Sequence, residues 1–433
     1  MREEDNQGAV VLSIPFVPAE IASVSGRTHY DLAPMFTAII DRIRRMNPQL
    51  RLFLLGTLCL GAAGGIFETT FNNFLNDTFT IGADARGFLE FPRELPGFLT
   101  VVMAGMLFFL PETWIGALSA MLVGLGMVGL TVWGSNWTTM LIFMTVWSMG
   151  AHLMMPVSAS VGMDLAESAE RKGKRLGQIQ GVGIAAAIIG CGLVWIIMRT
   201  LKSRYDITFI AGAVAAFIAA VFFMAMRMPG AHLRRPKFVW NRAYWLYYVL
   251  AFLFGARKQI FITFGPWVLV KIFGQPAYVF AELWIVSAVI GLMFQPALGR
   301  AIDRFGERAV LMVDAALVFL VCAGYAFSHL IDHRPLALAV LFSCYVGDQL
   351  LFGTGMARNT YLSKIALKPE HVSPTLSLGV TINHAVSMSI PALGGLLWVS
   401  SGHSWVFIVA AGIALLMLVF TSMIRLPLPS APR

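Results

Sequence analysis

Twelve predominantly apolar runs fill this chain, each close to or above the about 20 residues a helix needs to cross the hydrocarbon of a bilayer. The first six are Leu52–Leu75, Phe88–Leu110, Trp114–Trp133, Thr138–Ala159, Ile179–Met198 and Ile207–Met226. The second six are Ala243–Phe264, Tyr278–Leu298, Ala309–Phe327, Leu336–Met356, Leu376–Trp398 and Trp405–Met423. Lipid offers backbone N–H and C=O groups no partners, so segments of this kind close their hydrogen bonds internally, as helices. A membrane barrel would instead show short segments of alternating hydropathy, and none is visible. Composition agrees: 58% of residues are hydrophobic and 13% charged, against about 45–50% and 25% in soluble domains. The expected class is an all-α membrane protein with twelve transmembrane helices.

A net charge of +9 raises nucleic acid as a partner, but the placement of the charges argues against it. If both termini are cytoplasmic, alternate loops are too, and 23 of the 32 Lys and Arg residues then fall on that side. That is the positive-inside bias of a membrane protein. The predicted location is the plasma (inner) membrane with both termini inside. Arg199–Arg204, an outer loop with three cations, departs from the pattern. The four cysteines fall singly in four different runs, so no disulfide framework or metal-ligand spacing is visible, and no metal or other cofactor is expected. The start "MREEDNQ" lacks the basic character of a secretory signal. Pro34–Met46 has apolar and basic faces at helical spacing, which suits either a helix lying on the inner membrane surface or a loosely ordered tail.

The longest interior polar stretch, Arg227–Arg242, divides the runs six and six. The fifth run ends "GCGLVW" and the eleventh "LGGLLW"; holding their Trp residues in register sets Gln180 opposite Asn383. The fourth carries "GAHL" (Gly150–Leu153) and the tenth "GDQL" (Gly347–Leu350). Two matches at corresponding positions predict a duplicated six-helix unit. The expected organisation is a cytoplasmic tail (1–50), a first bundle (51–227), a linker (228–242), a second bundle (243–425) and a short tail (426–433).

Between the eighth and ninth runs lies "GRAIDRFGER", residues 299–308. It resembles the signature of the major facilitator superfamily, G-x-x-x-D-R-x-G-[RK]-[RK]. Gly299, Asp303, Arg304, Gly306 and Arg308 match, and Glu307 stands where a cation is usual. The resemblance extends through helix count and repeat over the whole hydrophobic chain. It implies two pseudo-symmetric six-helix bundles that rock about a central site. It also implies a latch, in which Asp303 meets the start of the fifth helix, near Gly177, and holds the cytoplasmic side shut. In the first half, "GMLFFLPETW" (Gly105–Trp114) keeps only the leading glycine, with Phe109 in place of the latch carboxylate.

In this fold the first, fourth, seventh and tenth helices line the cavity and the third, sixth, ninth and twelfth stand outermost. Charges at a helix centre in lipid cost about 2.5–3.5 kcal/mol, so they should avoid the outer four, and with the exception of Asp314 near the start of the ninth they do. The lining helices carry Glu68, Asn72 and Asn73; His152; Arg257, Lys258 and Gln259; and Asp348 and Gln349. The fifth and eleventh add Gln178, Gln180, Asn383 and His384. Glu68 and Asn72 share a helix face, and a pair between Glu68 and Arg257 or Lys258 across the cavity is expected. The two cations either hold an anionic group of the cargo or are neutralised by Glu68, Asp348 or Glu282. His152 and His384 suit a hydrogen-bonded structural role or a proton relay. Arg86, Glu90, Arg93 and Glu94, at i+3 and i+4 spacings around Pro92 and Pro96, read as an outer vestibule or gate, or as a salt-bridged helix end at the water boundary.

The function implied is secondary active transport of a small polar or anionic solute by alternating access, coupled to protons, by a monomer embedded in the bilayer. Glu68 and Asp348 are the candidate proton carriers. No G-x-x-x-x-G-K-[ST] sequence is present, so direct ATP drive is not expected. The Gly-Pro pair of drug–proton antiporters is missing from the fifth helix, which disfavours a drug exporter without removing it. A transport-fold sensor and a membrane-embedded enzyme are the remaining alternatives; no D-D-x-x-D or H-E-x-x-H cluster supports the enzyme.

Overall fold

The computed structural model of the protein describes residues 46–107, 109–166, 172–201, 204–228 and 239–425. The proposed interfacial helix lies outside these residues except for its last one, as does most of the linker. The described residues are helical, with no strand. Helices α1 (Pro48–Phe79), α5 (Glu112–Trp133), α6 (Trp137–Asp164), α7 (Lys172–Thr200) and α8 (Tyr205–Ala225) cover five of the first six runs. The run from Phe88 becomes three short helices, α2 (Ala83–Phe88), α3 (Glu90–Phe98) and α4 (Thr100–Met106). The second half comprises α9 (Trp245–Lys271), α10 (Ala277–Phe327), α11 (Arg334–Leu351), α12 (Gly355–Ile365), α13 (Val372–Ser401) and α14 (His403–Ser422).

Local chemistry sets several ends. Asn47 caps α1 through the Gln49 N–H at 2.9 Å, with Pro48 at the first turn, where its missing N–H costs nothing. Asn136 caps α6 in the same way. Helix α10 spans both the eighth and ninth runs, and the chain turns within it at Gly306, whose φ of 79° is open to glycine and strained for other residues. The tenth run was expected unbroken to Met356; it stops at Leu351 and restarts at Gly355 after a turn of 3₁₀ helix.

Nine of the described helices are each long and apolar enough to cross a membrane, α10 accounting for two runs. The two runs outside that set are α9, which carries Arg257, Lys258 and Gln259 at mid-length, and α2–α4, which is broken and carries five charges. These are the segments whose polar groups face other helices and not lipid.

Helices α1 and α5–α8 pack as one bundle, and α9–α14 as the other. Helix α3 lies between them, with α6 on one side and α13 on the other, while α2 also rests on α13 and α7 on α10. The α2–α13 contact is backbone on backbone: a Cβ at Gly87 would sit 2.1 Å from the Pro391 carbonyl. Arg227 N–H donates to Gln49 Oε1 at 2.7 Å, so the start of α1 and the end of α8 share one face, called here the terminal face. The cross-bundle polar contacts between described residues all lie at mid-depth or towards the opposite face. There Asn73 Nδ2 donates to Gln275 O at 2.8 Å, Lys271 Nζ to Asn76 Oδ1 at 2.9 Å and Trp195 Nε1 to Glu282 Oε1 at 2.7 Å. The bundles are therefore sealed on the face away from the termini.

Candidate functional site: a charged cavity between the bundles

Below that seal is a cavity of about 410 Å³. Its polar wall is Glu68, Asn72, Arg93, Glu94, His152, Lys258, Asp348, Gln349 and His384, and its apolar wall includes Trp147, Phe261, Trp284, Tyr345 and Phe352. Both bundles contribute to each kind of wall.

The first bundle's charges form a connected chain. Arg86 and Glu90 are both fully buried and pair at 2.5 Å. Arg93 bridges Glu90 at 3.2 Å and Glu68 at 2.9 Å. Arg86 Nε also donates to Asn72 Oδ1 at 2.8 Å, and Ser148 Oγ donates to the Arg93 carbonyl. A lone charge buried at this depth costs several kcal/mol, so each has to be matched by an opposite charge with good hydrogen-bond geometry. The i+3 and i+4 spacings of 86, 90 and 93 place the three on one side of a kinked helix, where they satisfy one another. Expected at a vestibule or at the water boundary, this stretch is instead buried between α6 and α13, because Gly87 and Gly97 let α2 and α3 sink into the second bundle.

The second bundle is simpler. Arg257 Nη2 meets Asp348 Oδ1 at 2.7 Å, and the guanidinium is fully buried among Phe254, Phe261 and Phe352 rings 5.3–5.8 Å away. Arg257 does not line the cavity; Lys258, the next residue, does. Among the described residues Lys258 has no ion pair or hydrogen bond of its own, although Glu94 and Glu90 act on it electrostatically. The expected Glu68 pairing with Arg257 or Lys258 is therefore replaced: Glu68 is held by Arg93 and Arg257 by Asp348. Glu282 faces Trp195 and, at 4.0 Å, Arg199.

Two contacts join the networks. Gln259 Nε2 donates to Glu90 Oε2 at 2.7 Å. His384 Nδ1 lies 2.8 Å from Glu94 Oε2, and its ring stands edge-on to His152 with centroids 5.0 Å apart. Of the other predicted residues, Asn73 belongs to the seal, Gln349 is on the cavity wall, and Asn383 packs against Gly255 within its own bundle. Gln178 and Gln180 are exposed. Ser148, Trp147 and Tyr345 were not foreseen; as single hydroxyl and aromatic residues inside apolar runs they carry no spacing signal.

The 299–308 motif sits at the terminal face. Asp303, Arg304 and Arg308 are exposed, and Asp303 makes no hydrogen bond or ion pair with a described residue. Among the described residues no polar contact joins the bundles on this face. Glu307, the residue that departs from the signature, is fully buried and meets Lys364 at 2.6 Å.

The family model for the Major Facilitator Superfamily matches residues 53–367. A search of curated proteins finds no match. Solved structures of the same fold include the nucleoside transporter NupG, at 16% identity and a TM-score of 0.68 over 87% of this chain and 99% of that one. A D-xylose–proton symporter gives 15% and 0.66 over 87% and 97%. A bacterial homologue of the human lysosomal transporter Spinster, inward-facing and unoccupied, gives 13% and 0.64 over 87% and 96%. Identities this low speak for the fold alone, but the family match spans most of the chain, and the protein belongs to the Major Facilitator Superfamily.

Proposed function

We propose that the protein is a secondary transporter for a small solute carrying an anionic group, bound in the central cavity with Lys258 as its charge partner. The observation that carries this reading is the contrast between Lys258 and its neighbours. Arg86, Arg93 and Arg257 are each held by a carboxylate within 3.2 Å, whereas Lys258 reaches the cavity with no such partner among the described residues. Between low-dielectric helix walls, an ammonium without a fixed counter-ion attracts a carboxylate or phosphate more strongly than it would in solution. The aromatic wall then suits the carbon skeleton of the solute.

With both termini cytoplasmic, the sealed face is the outer one and the structure is the inward-open state of an alternating-access cycle. Protons drive the cycle through carboxylates of the cavity wall. Glu68 and Asp348 each face a guanidinium, and protonation would release that guanidinium and weaken the wall. Solute-dependent shifts in melting temperature test the reading on purified protein. Small organic acids should raise the wild-type melting temperature and leave Lys258→Met unmoved. Stabilisation by hydrophobic cations alone would favour the drug-exporter alternative.

A further inference from the structure

We propose that Glu94, His152 and His384 form a binding site for a divalent transition-metal ion of the zinc or cobalt class, and that the ion ties the two bundles together. Glu94 comes from α3, His152 from α6 and His384 from α13. One ligand atom from each lies within 4.8 Å of the others, and all three residues are buried. Two imidazoles and one carboxylate, with a fourth position open to a cavity, is an established donor set for such ions.

Two further observations point to a ligand. The first is the hydrogen bonding of His152. Ser148 Oγ donates to the Arg93 carbonyl, so towards His152 it can only accept, at 3.0 Å from Nδ1. The Ser148 carbonyl, 2.9 Å from the same nitrogen, also accepts. Nδ1 therefore carries the hydrogen and Nε2 keeps its lone pair, with the ring fixed from behind as it is in metal-bound histidines. The second is Gly97 on α3. A Cβ there would lie 2.5 Å from His384 Nδ1 and 2.6 Å from His152 Cδ2. The helix is bare where the two imidazoles meet the carboxylate.

His384 Nδ1 and Glu94 Oε2 are now 2.8 Å apart. Ligand atoms around a tetrahedral ion stand about 3.3 Å apart; those of the three residues lie within 4.8 Å of one another, so side-chain movements of roughly 1 Å gather them around the ion, and the proton of the His384–Glu94 hydrogen bond leaves to solvent. Because α13 belongs to one bundle and α6 to the other, with α3 between them, the ion binds only while the bundles are together at this depth. The Lys258 ammonium acts on the same Glu94 carboxylate and opposes a dication. The site is independent of which solute the cavity carries.

The test uses full-length protein in nanodiscs, with any affinity tag removed, titrated with Co²⁺ and followed by ligand-field absorption and by melting temperature. Wild type should bind Co²⁺ with a rise in melting temperature. His152→Gln and His384→Gln should each weaken binding about tenfold or more, with metal-free melting and gel-filtration profiles reporting that each variant is folded. Lys258→Met should bind several-fold more tightly. His403→Gln, which disrupts a separate imidazole pair with His329 whose centroids are 4.8 Å apart, should match wild type. The proposal is overturned if wild type shows no saturable Co²⁺ binding, if the His152 and His384 variants bind as wild type does, if His403→Gln abolishes binding, or if Lys258→Met fails to tighten it. Because binding is the readout, failure here is distinct from failure of the transport reading.

Discussion

The two bundles handle the charge around the cavity in opposite ways. The first gathers Glu68, Arg86, Glu90 and Arg93 into one chain, each link within 3.2 Å. Beside the cavity the second closes an isolated pair, Arg257 with Asp348, and leaves the adjacent Lys258 facing the cavity. A connected chain is rigid, since moving any member strands its neighbours in a medium of low dielectric. A lone lysine beside a cavity is adaptable and strongly attractive to anions. The first bundle thus acts as a fixed electrostatic frame and the second supplies the charge left available for a solute.

The terminal face repeats the contrast on a smaller scale. In the second half the buried acid is Glu307, bound by Lys364; in the first it is Glu112, in the first turn of α5, which accepts from Ser160 Oγ at 2.6 Å. Both carboxylates sit at the start of a helix, where the backbone N–H groups favour negative charge, and both reach the end of a neighbouring segment. Although the sequence motif survives in one half alone, the corner retains a buried acid in both.

Breaking the first frame should have the largest effect. Glu90→Ala strands Arg86, frees one side of Arg93 and removes the acceptor of Gln259; a loss of about 3–5 kcal/mol is expected, seen as a collapse of the melting temperature in detergent. Asp348→Asn should cost less, towards the lower end of that range, because one guanidinium is affected. Adding Arg257→Met to it should restore much of the melting temperature, whereas no partner substitution should rescue Glu90→Ala. Equal rescue in both bundles would contradict the distinction between chain and pair. Glu307→Gln should cost only about 1 kcal/mol, since Lys364 is half exposed and screened. Asp303→Asn should leave the melting temperature of this conformation unchanged, because its side chain is exposed and unpaired among the described residues.

The spanning runs were legible because lipid imposes length and apolarity on every spanning segment, and the 299–308 turn because it interrupts two of them. Arg86, Glu90 and Arg93 could be picked out as a group from their spacing within one helix. Their burial could not be foreseen, because it depends on how closely α2 and α3 approach α13, at Gly87 against Pro391 and Gly97 against His384, across roughly three hundred residues of chain. Arg93 as the partner of Glu68 was missed for the same reason, since it lies on another helix and a helical wheel gives direction and no depth; Asp348, which holds Arg257, was one of three candidate carboxylates that the sequence could not rank. His152 and His384 were visible only as isolated histidines. Their meeting with Glu94 is a property of the bundle interface.

The most direct test of the central claim is flux into proteoliposomes, under an imposed pH gradient, of small organic acids compared with neutral and cationic molecules of like size. The account predicts saturable, gradient-driven uptake of at least one organic acid by wild type. That uptake should fall about tenfold or more at low concentration in Lys258→Met, with the variant's stability within about 0.5 kcal/mol of wild type. Transport restricted to cations, or organic-acid uptake unchanged by Lys258→Met, would contradict it.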